Sequence, residues 1–184
     1  MSKQQILDTA IQLFTEEGYD KVSMREIAEA AGMTKPALYY HFKSKEDFVR
    51  TYLQDFMKHQ EDMLHWVENA QGVSSTEFIE RMAKFAENQK PETIAFILRN
   101  YRIVKEVTSQ DFEEAKTSGK LLRAIVAKEW GLAKPNLAVE VRVRAVIATI
   151  FNLMSNSHVK GKREDIFNEV LNAALLLVKK PNGK

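Results

Sequence analysis

The sequence predicts an all-helical fold, and three observations carry that prediction. Glycine and proline are scarce, seven and four in 184 residues, so obligatory chain breaks are few. Apolar residues recur at helical spacing, and no run shows the strict period of two that a half-buried strand requires. Caps of the Ser-x-x-Glu kind precede apolar stripes at Ser23 with Glu26 and at Ser74 with Glu77, where each side chain can satisfy an amide left free at a helix start. A chain of this length buries a sizeable core and lies between one and two domains on size alone.

Composition also excludes function classes. There is no cysteine, which removes disulfides, thiolate catalysis and a cysteine-built zinc finger. Of the four histidines, His41, His59, His65 and His158, only His59 and His65 lie close. Six apart on one helix, these two point in different directions, so no metal site is expected. No nucleophile–base pair and no phosphate-binding glycine loop is visible, so neither an enzyme nor a cofactor is expected. The N-terminal MSKQQILDTAI lacks the long apolar core of a signal peptide. The longest wholly apolar runs are six or seven residues, far below the ~20 that span a bilayer; a cytoplasmic protein is expected.

Taken in order, Lys3 to about Glu17 reads as a helix with Ile6, Leu7, Ala10, Ile11 and Phe14 on one face, and Gly18-Tyr19-Asp20 as a turn. Ser23 and Glu26 open a second helix whose apolar face is Ile27, Ala30 and Ala31, and Gly32 ends it, since glycine adopts the left-handed backbone freely. Thr34 caps a third helix with Pro36 in its first turn, and Ser44 with Asp47 opens the next. Helix, tight turn and short second helix is the arrangement that presents a recognition helix to the major groove.

Charge supports that assignment. Met33 to Lys45 holds Lys35, Lys43, Lys45 and His41 and no acid. Lysine, threonine, tyrosine and histidine within two turns are phosphate-contacting side chains. Leu38 and Phe42, four apart, fit a core role better, whereas tyrosine hydroxyls beside lysines favour DNA contact.

The ordered residues SMREIAEAAGMTKPALYYHFKSKEDF, preceded by a helix ending at Glu17-Gly18-Tyr19, resemble the DNA-binding domain of the tetracycline-repressor (TetR) family of bacterial transcription regulators. The likeness covers roughly the first fifty residues. It implies an all-helical homodimer with a small helix-turn-helix domain (residues 1–46) and a larger effector-binding and dimerisation domain (residues 47–184), joined by a long helix. It further implies that Arg25, Lys35, Pro36 and Ala37 face bases, that Thr34, Tyr39, Tyr40, His41 and Lys45 hold phosphates, and that Ser23 belongs to the DNA-binding set. The implied partners are a palindromic DNA operator, a second copy of the chain and a small apolar or amphipathic effector that releases a repressor. The competing reading is a small-molecule sensor of the same fold that no longer binds DNA, against which Thr34, Tyr39, His41 and Lys45 stand intact. Repression rather than activation rests on the resemblance alone.

Ser44 to about Asn69 reads as one long helix of nearly 40 Å, at ~1.5 Å per residue. Phe48, Tyr52, Phe56, Met63 and Val67 form its stripe, with Leu53, Met57 and Leu64 beside it, and Gln71-Gly72 closes it. It is either a mechanical link between the domains or an ordinary packed helix. Ser74 caps a helix carrying Phe78, Ile79, Met82 and Phe85, and Pro91 starts another with Ile94, Ile97, Leu98, Tyr101 and Val104 inward. Residues 108–119 read as a loop or a short helix, followed by a helix from Lys120 to Trp130 that Gly131 stops.

Two further helices run from Pro135-Asn136 to about Asn156 and from Arg163 to Lys180. Both are apolar nearly all round, at residues 145–151 and 173–178, and must be covered on more than one side. They either bury inside one subunit or form a four-helix bundle across a two-fold axis. The dimer is favoured, with Val146, Ile150, Phe151, Phe167, Val170, Leu171, Ala174 and Leu177 at the seam. The resemblance implies an effector pocket in the central helices, for which Met63, Trp66, Phe78, Met82, Phe85, Phe96, Tyr101 and Trp130 are the candidate lining, with ordinary core packing as the competing role. Arg99 and Arg102 either meet an anionic effector or lie on a solvated face. Net charge is +2 overall, but residues 1–50 carry seven basic and eight acidic side chains, and residues 120–184 carry twelve and five. DNA binding would therefore rest on a local patch and dimer symmetry, with a strong salt dependence.

Overall fold

A computed structural model describes residues 2–109, 118–155 and 159–181, and every regular element among them is a helix. The order is α1 (Lys3–Glu16), α2 (Met24–Ala30), α3 (Lys35–His41), α4 (Lys45–Tyr52), α5 (Gln54–Asn69), α6 (Ser75–Asn88), α7 (Pro91–Arg99), α8 (Tyr101–Ser109), α9 (Ser118–Glu129), α10 (Leu137–Ser155) and α11 (Arg163–Val178). Most of the segment read as loop or short helix, the end of the helix expected at Asn156, and His158 lie outside the described residues.

Local chemistry sets the helix starts. Ser23 and Ser74 each accept from the amide three residues on, while the glutamate there reaches back to the serine amide. Ser2 and Gln5 do the same for α1, and Thr34 and Ser44 cap α3 and α4. Each such cap contributes about 1 kcal/mol.

The chain divides into two compact units. One comprises the chain up to Lys58 together with Ala95 and the residues through α8; the other comprises His59–Ile94 and the chain from α9 onward. The expected boundary at residue 46 does not coincide with this division, because α4, the start of α5 and α8 all pack with the helix-turn-helix. Phe14, Leu38, Phe42, Phe48 and Leu53 fill the core of the first unit, and Phe96, Ile103, Val104 and Val107 complete it. The second core joins α6, α9, α10 and α11 around Phe78, Ile79, Leu122, Val143 and Val146. There the Trp130 indole donates to the Val178 carbonyl at 3.0 Å, and Glu129 accepts from the Ser75 amide at 2.7 Å.

Two expected helices are each divided. The long helix breaks at Leu53, whose backbone (φ −91°, ψ 6°) leaves the helical region while its amide still bonds the Val49 carbonyl. The break lets Leu53 bury completely in the first core. The helix from Pro91 breaks at Asn100, which is buried and turns its side-chain amide onto the Phe96 carbonyl at 3.1 Å. That local bond competes with the helical ladder. Val104 faces inward as expected, but Leu98 and Tyr101 do not: they are 41% and 65% exposed.

Candidate nucleic-acid interface

The site is built from α2, the turn at Gly32 and α3. Gly32 sits at φ +61°, a conformation that costs a side-chain-bearing residue roughly 1 kcal/mol. Its amide donates to Glu29, and that of Met33 donates to Ala28, closing the end of α2. Leu38 and Phe42 face the core, Phe42 stacking on Phe48 with centroids 3.9 Å apart. That anchoring turns the rest of α3 outward. Thr34, Lys35 and Pro36 are exposed, and Ala37, Tyr39 and His41 are half-buried. Tyr40 is 81% exposed with its ring edge-on to His41. The Lys35 ammonium lies 5.8 Å from the Tyr39 ring centroid. Ser23 is occupied in its cap, its hydroxyl donating to Glu26 at 2.7 Å, and Arg25 pairs with Glu29 one turn along α2.

Lys45, for which the resemblance implies a phosphate contact, has partners within the chain. Its ammonium donates to the carbonyls of Tyr19 at 2.6 Å and Val22 at 2.8 Å, and lies 4.2 Å from the Tyr19 ring centroid. It braces the α1–α2 connection onto α4. The Tyr19 hydroxyl donates to Glu46 at 2.8 Å. Burial and the Glu46 carboxylate push the Tyr19 hydroxyl pKa up, while the Tyr19 hydrogen bond holds the Glu46 carboxyl below its usual range. Two more braces come from far along the chain. Arg102 on α8 pairs with Asp20 at 2.6 Å, and Arg99 donates to the Thr15 carbonyl at 3.2 Å. Both arginines are exposed, as the solvated-face reading expects, and the bonds to Asp20 and Thr15 are the feature the sequence did not show.

The candidate effector residues divide between the two units. Phe78, Met63, Met82 and Trp130 are buried in the second core, and Trp66 and Phe85 are half-buried beside it. Phe96 belongs instead to the first core, 5.4 Å from the Tyr52 ring, and Tyr101 is exposed. Met63 and Phe85 do border a cleft of about 360 Å³ between α5 and α6, with His59, Asp62, Arg81, Lys84 and Asn88. His59 lies flat against Phe85 at 3.8 Å, and its buried Nε2 has no hydrogen-bond partner among the described residues. Burial lowers the His59 pKa, so the ring is neutral at pH 7.

The residues expected at a dimer seam separate similarly. Val146, Ile150, Val170 and Ala174 are buried in the subunit's own core, because α10 and α11 pack on each other along that stripe. Phe151, Phe167, Leu171 and Leu177 are half-buried. The apolar residues that α10 leaves open are Leu137 and Val141, 79% and 56% exposed.

Comparison with known proteins agrees with this geometry. Residues 6–52 match the family described as bacterial regulatory proteins, tetR family. The match covers 47 residues, about a quarter of the chain, and over that segment the chain is similar to the tetR family. The HTH-type transcriptional regulator AcrR of Shigella flexneri is 50% identical over 46 residues, 25% of this chain and 21% of AcrR. The HTH-type negative transcriptional regulator IcaR of Staphylococcus epidermidis is 36% identical over 62 residues, 34% of each chain. The alignments thus span about a fifth to a third of these relatives' lengths. Beyond them the likeness is one of fold. The tetR-family regulator PfmR of Thermus thermophilus superposes with a TM-score of 0.62 at 22% identity, covering 100% of this chain and 99% of PfmR. No helix among the described residues is long and apolar enough to cross a membrane.

Proposed function

We propose that the protein is a cytoplasmic transcription regulator that binds palindromic operator DNA as a homodimer, represses its target genes and is released by a small effector. The observation that carries the DNA-binding reading is the outer face of α3, where Thr34, Lys35, Pro36 and Tyr40 are exposed beside half-buried Tyr39 and His41, with no acid on the helix. A recognition helix needs such a face to enter the major groove. Repression follows the negative regulator among the relatives. Dimerisation draws support from Leu137 and Val141, which share one outward face of α10.

The test is selection of genomic DNA fragments by the purified full-length protein, with Tyr40→Ala as the control. Tyr40 is exposed, so its loss leaves the core untouched. Enrichment of a palindrome by the wild type, lost or weakened at least ten-fold in the variant, is the expected result. Equal enrichment by both proteins would remove α3 as the reading element.

The α5–α6 cleft is the proposed effector site. A buried polar atom without a partner costs stability, and a ligand able to hydrogen-bond His59 Nε2 would relieve that cost. His59→Phe keeps the stack on Phe85 and removes the nitrogen. In a thermal-shift screen of amphipathic small molecules, hits on the wild type should shift the variant less. Hits that shift both proteins equally would place the site elsewhere.

A further inference from the structure

Arg25 Nε donates to Glu29 Oε1 at 2.7 Å across one turn of α2, and both side chains lie in the open, 78% and 60% exposed. An exposed pair of this kind contributes little to folding, so removing it should leave stability nearly unchanged. The five N–H donors of the guanidinium form two useful edges. One edge joins Nε to the nearer amino group, and the other, at the tip, presents Nη1 and Nη2 side by side. Glu29 engages the first edge at Nε and leaves the tip open. The tip edge is the one whose two donors match the paired acceptors O6 and N7 that guanine shows in the major groove.

We propose that Glu29 is a positioning residue for sequence readout: by fixing the Nε edge of Arg25 it aims the paired Nη groups at one guanine in each operator half-site. This rests on the DNA-binding reading of α2 and α3. Two physical effects make it a specificity device. A free arginine samples many rotamers and must be ordered on binding, whereas a buttressed one meets the base already ordered. A free arginine also pairs with any nearby phosphate, and phosphate contacts carry no sequence information. A carboxylate beside the guanidinium weakens that competing contact through its repulsion of phosphate. The second acid of α2, Glu26, is already held by the Ser23 amide and hydroxyl, which leaves Glu29 as the buttress.

The test uses the full-length protein and its Arg25→Ala, Glu29→Ala and Glu29→Gln variants. Selection from a random duplex library gives the wild-type motif, and the position whose preference disappears in Arg25→Ala is the Arg25 base pair. Binding is then measured to duplexes with G·C or A·T at that position. The wild type should prefer G·C by roughly ten-fold or more. Glu29→Ala should reduce that ratio to two- or three-fold without altering preferences elsewhere in the site. Glu29→Gln should fall between them, because its amide oxygen still accepts from Nε. Melting temperatures should agree within a degree or two, which a structural role for Glu29 would not allow. A motif with no guanine at the Arg25 position, or a wild-type ratio retained in Glu29→Ala, overturns the proposal alone. A wild-type library with no enriched motif overturns the DNA-binding reading and this proposal with it.

Discussion

Lys45 stands where a phosphate ligand is expected, directly after the cap residue Ser44, yet its ammonium bonds two carbonyls of the α1–α2 connection. Sequence shows a lysine's charge but not its acceptors, which lie 26 and 23 residues earlier. The distinction can be measured. Lys45→Met should destabilise the protein by about 1–3 kcal/mol, the usual worth of hydrogen bonds from a charged donor, read as a lowered denaturation midpoint. Operator affinity should then keep its wild-type dependence on salt. Loss of a phosphate ligand would instead flatten the slope of log affinity against log salt by about one unit, and that result would return Lys45 to the DNA. The neighbouring Tyr19–Glu46 bond has a pH sign. Glu46 is depressed in the folded state, so its contribution is present at neutral pH and is lost as pH falls below the usual carboxylate range. The exposure of Thr34, Lys35 and Tyr40 on α3 was more legible than these braces, because cap position and the acid-free run around them are local features of the sequence.

At the scale of the element, what is local was readable and what is tertiary was not. The caps at Ser23, Thr34, Ser44 and Ser74 follow from residues three apart, and the structure has all four. The breaks at Leu53 and Asn100 interrupt stripes whose spacing continues through them, so periodicity alone draws one helix in each place. Leu53 is fully buried and Asn100 nearly so, and the need to bury them where they stand is a property of their neighbours. The same limit hid the role of α8. Ile103, Val104 and Val107 form an ordinary apolar stripe that does not reveal which core it completes. Arg99 and Arg102 find their partners 84 and 82 residues upstream. Of the aromatics and methionines named as candidate pocket lining, Met63, Trp66, Phe78, Met82, Phe85 and Trp130 lie in the second unit, whereas Phe96 and Tyr101 belong with the first, beyond the α7 position at which the units divide.

For the molecule as a whole, the dimer reading passes from the buried stripe of α10 to its outer face. A core residue such as Val146 already has its partners within the subunit, so replacing it would test folding and not association. Val141 is 56% exposed on α10 and tests association directly. Val141→Glu should convert a sedimenting dimer into a monomer at micromolar concentration while the helical circular dichroism stays unchanged. A wild-type protein that is itself monomeric at that concentration would sink the homodimer.

The composition of the first core has a consequence during synthesis. Its family-matched segment ends at Tyr52, but Phe96, Ile103, Val104 and Val107 belong to the same core. At about 5–20 residues per second, a ribosome takes several seconds to travel from one point to the other. Throughout that interval the nascent helix-turn-helix lacks part of its apolar cover, and Tyr52 has no Phe96 to pack against. The helix-turn-helix is thus made before α8 and must wait for it before its core can close, a window in which a holdase chaperone has an apolar surface to grip.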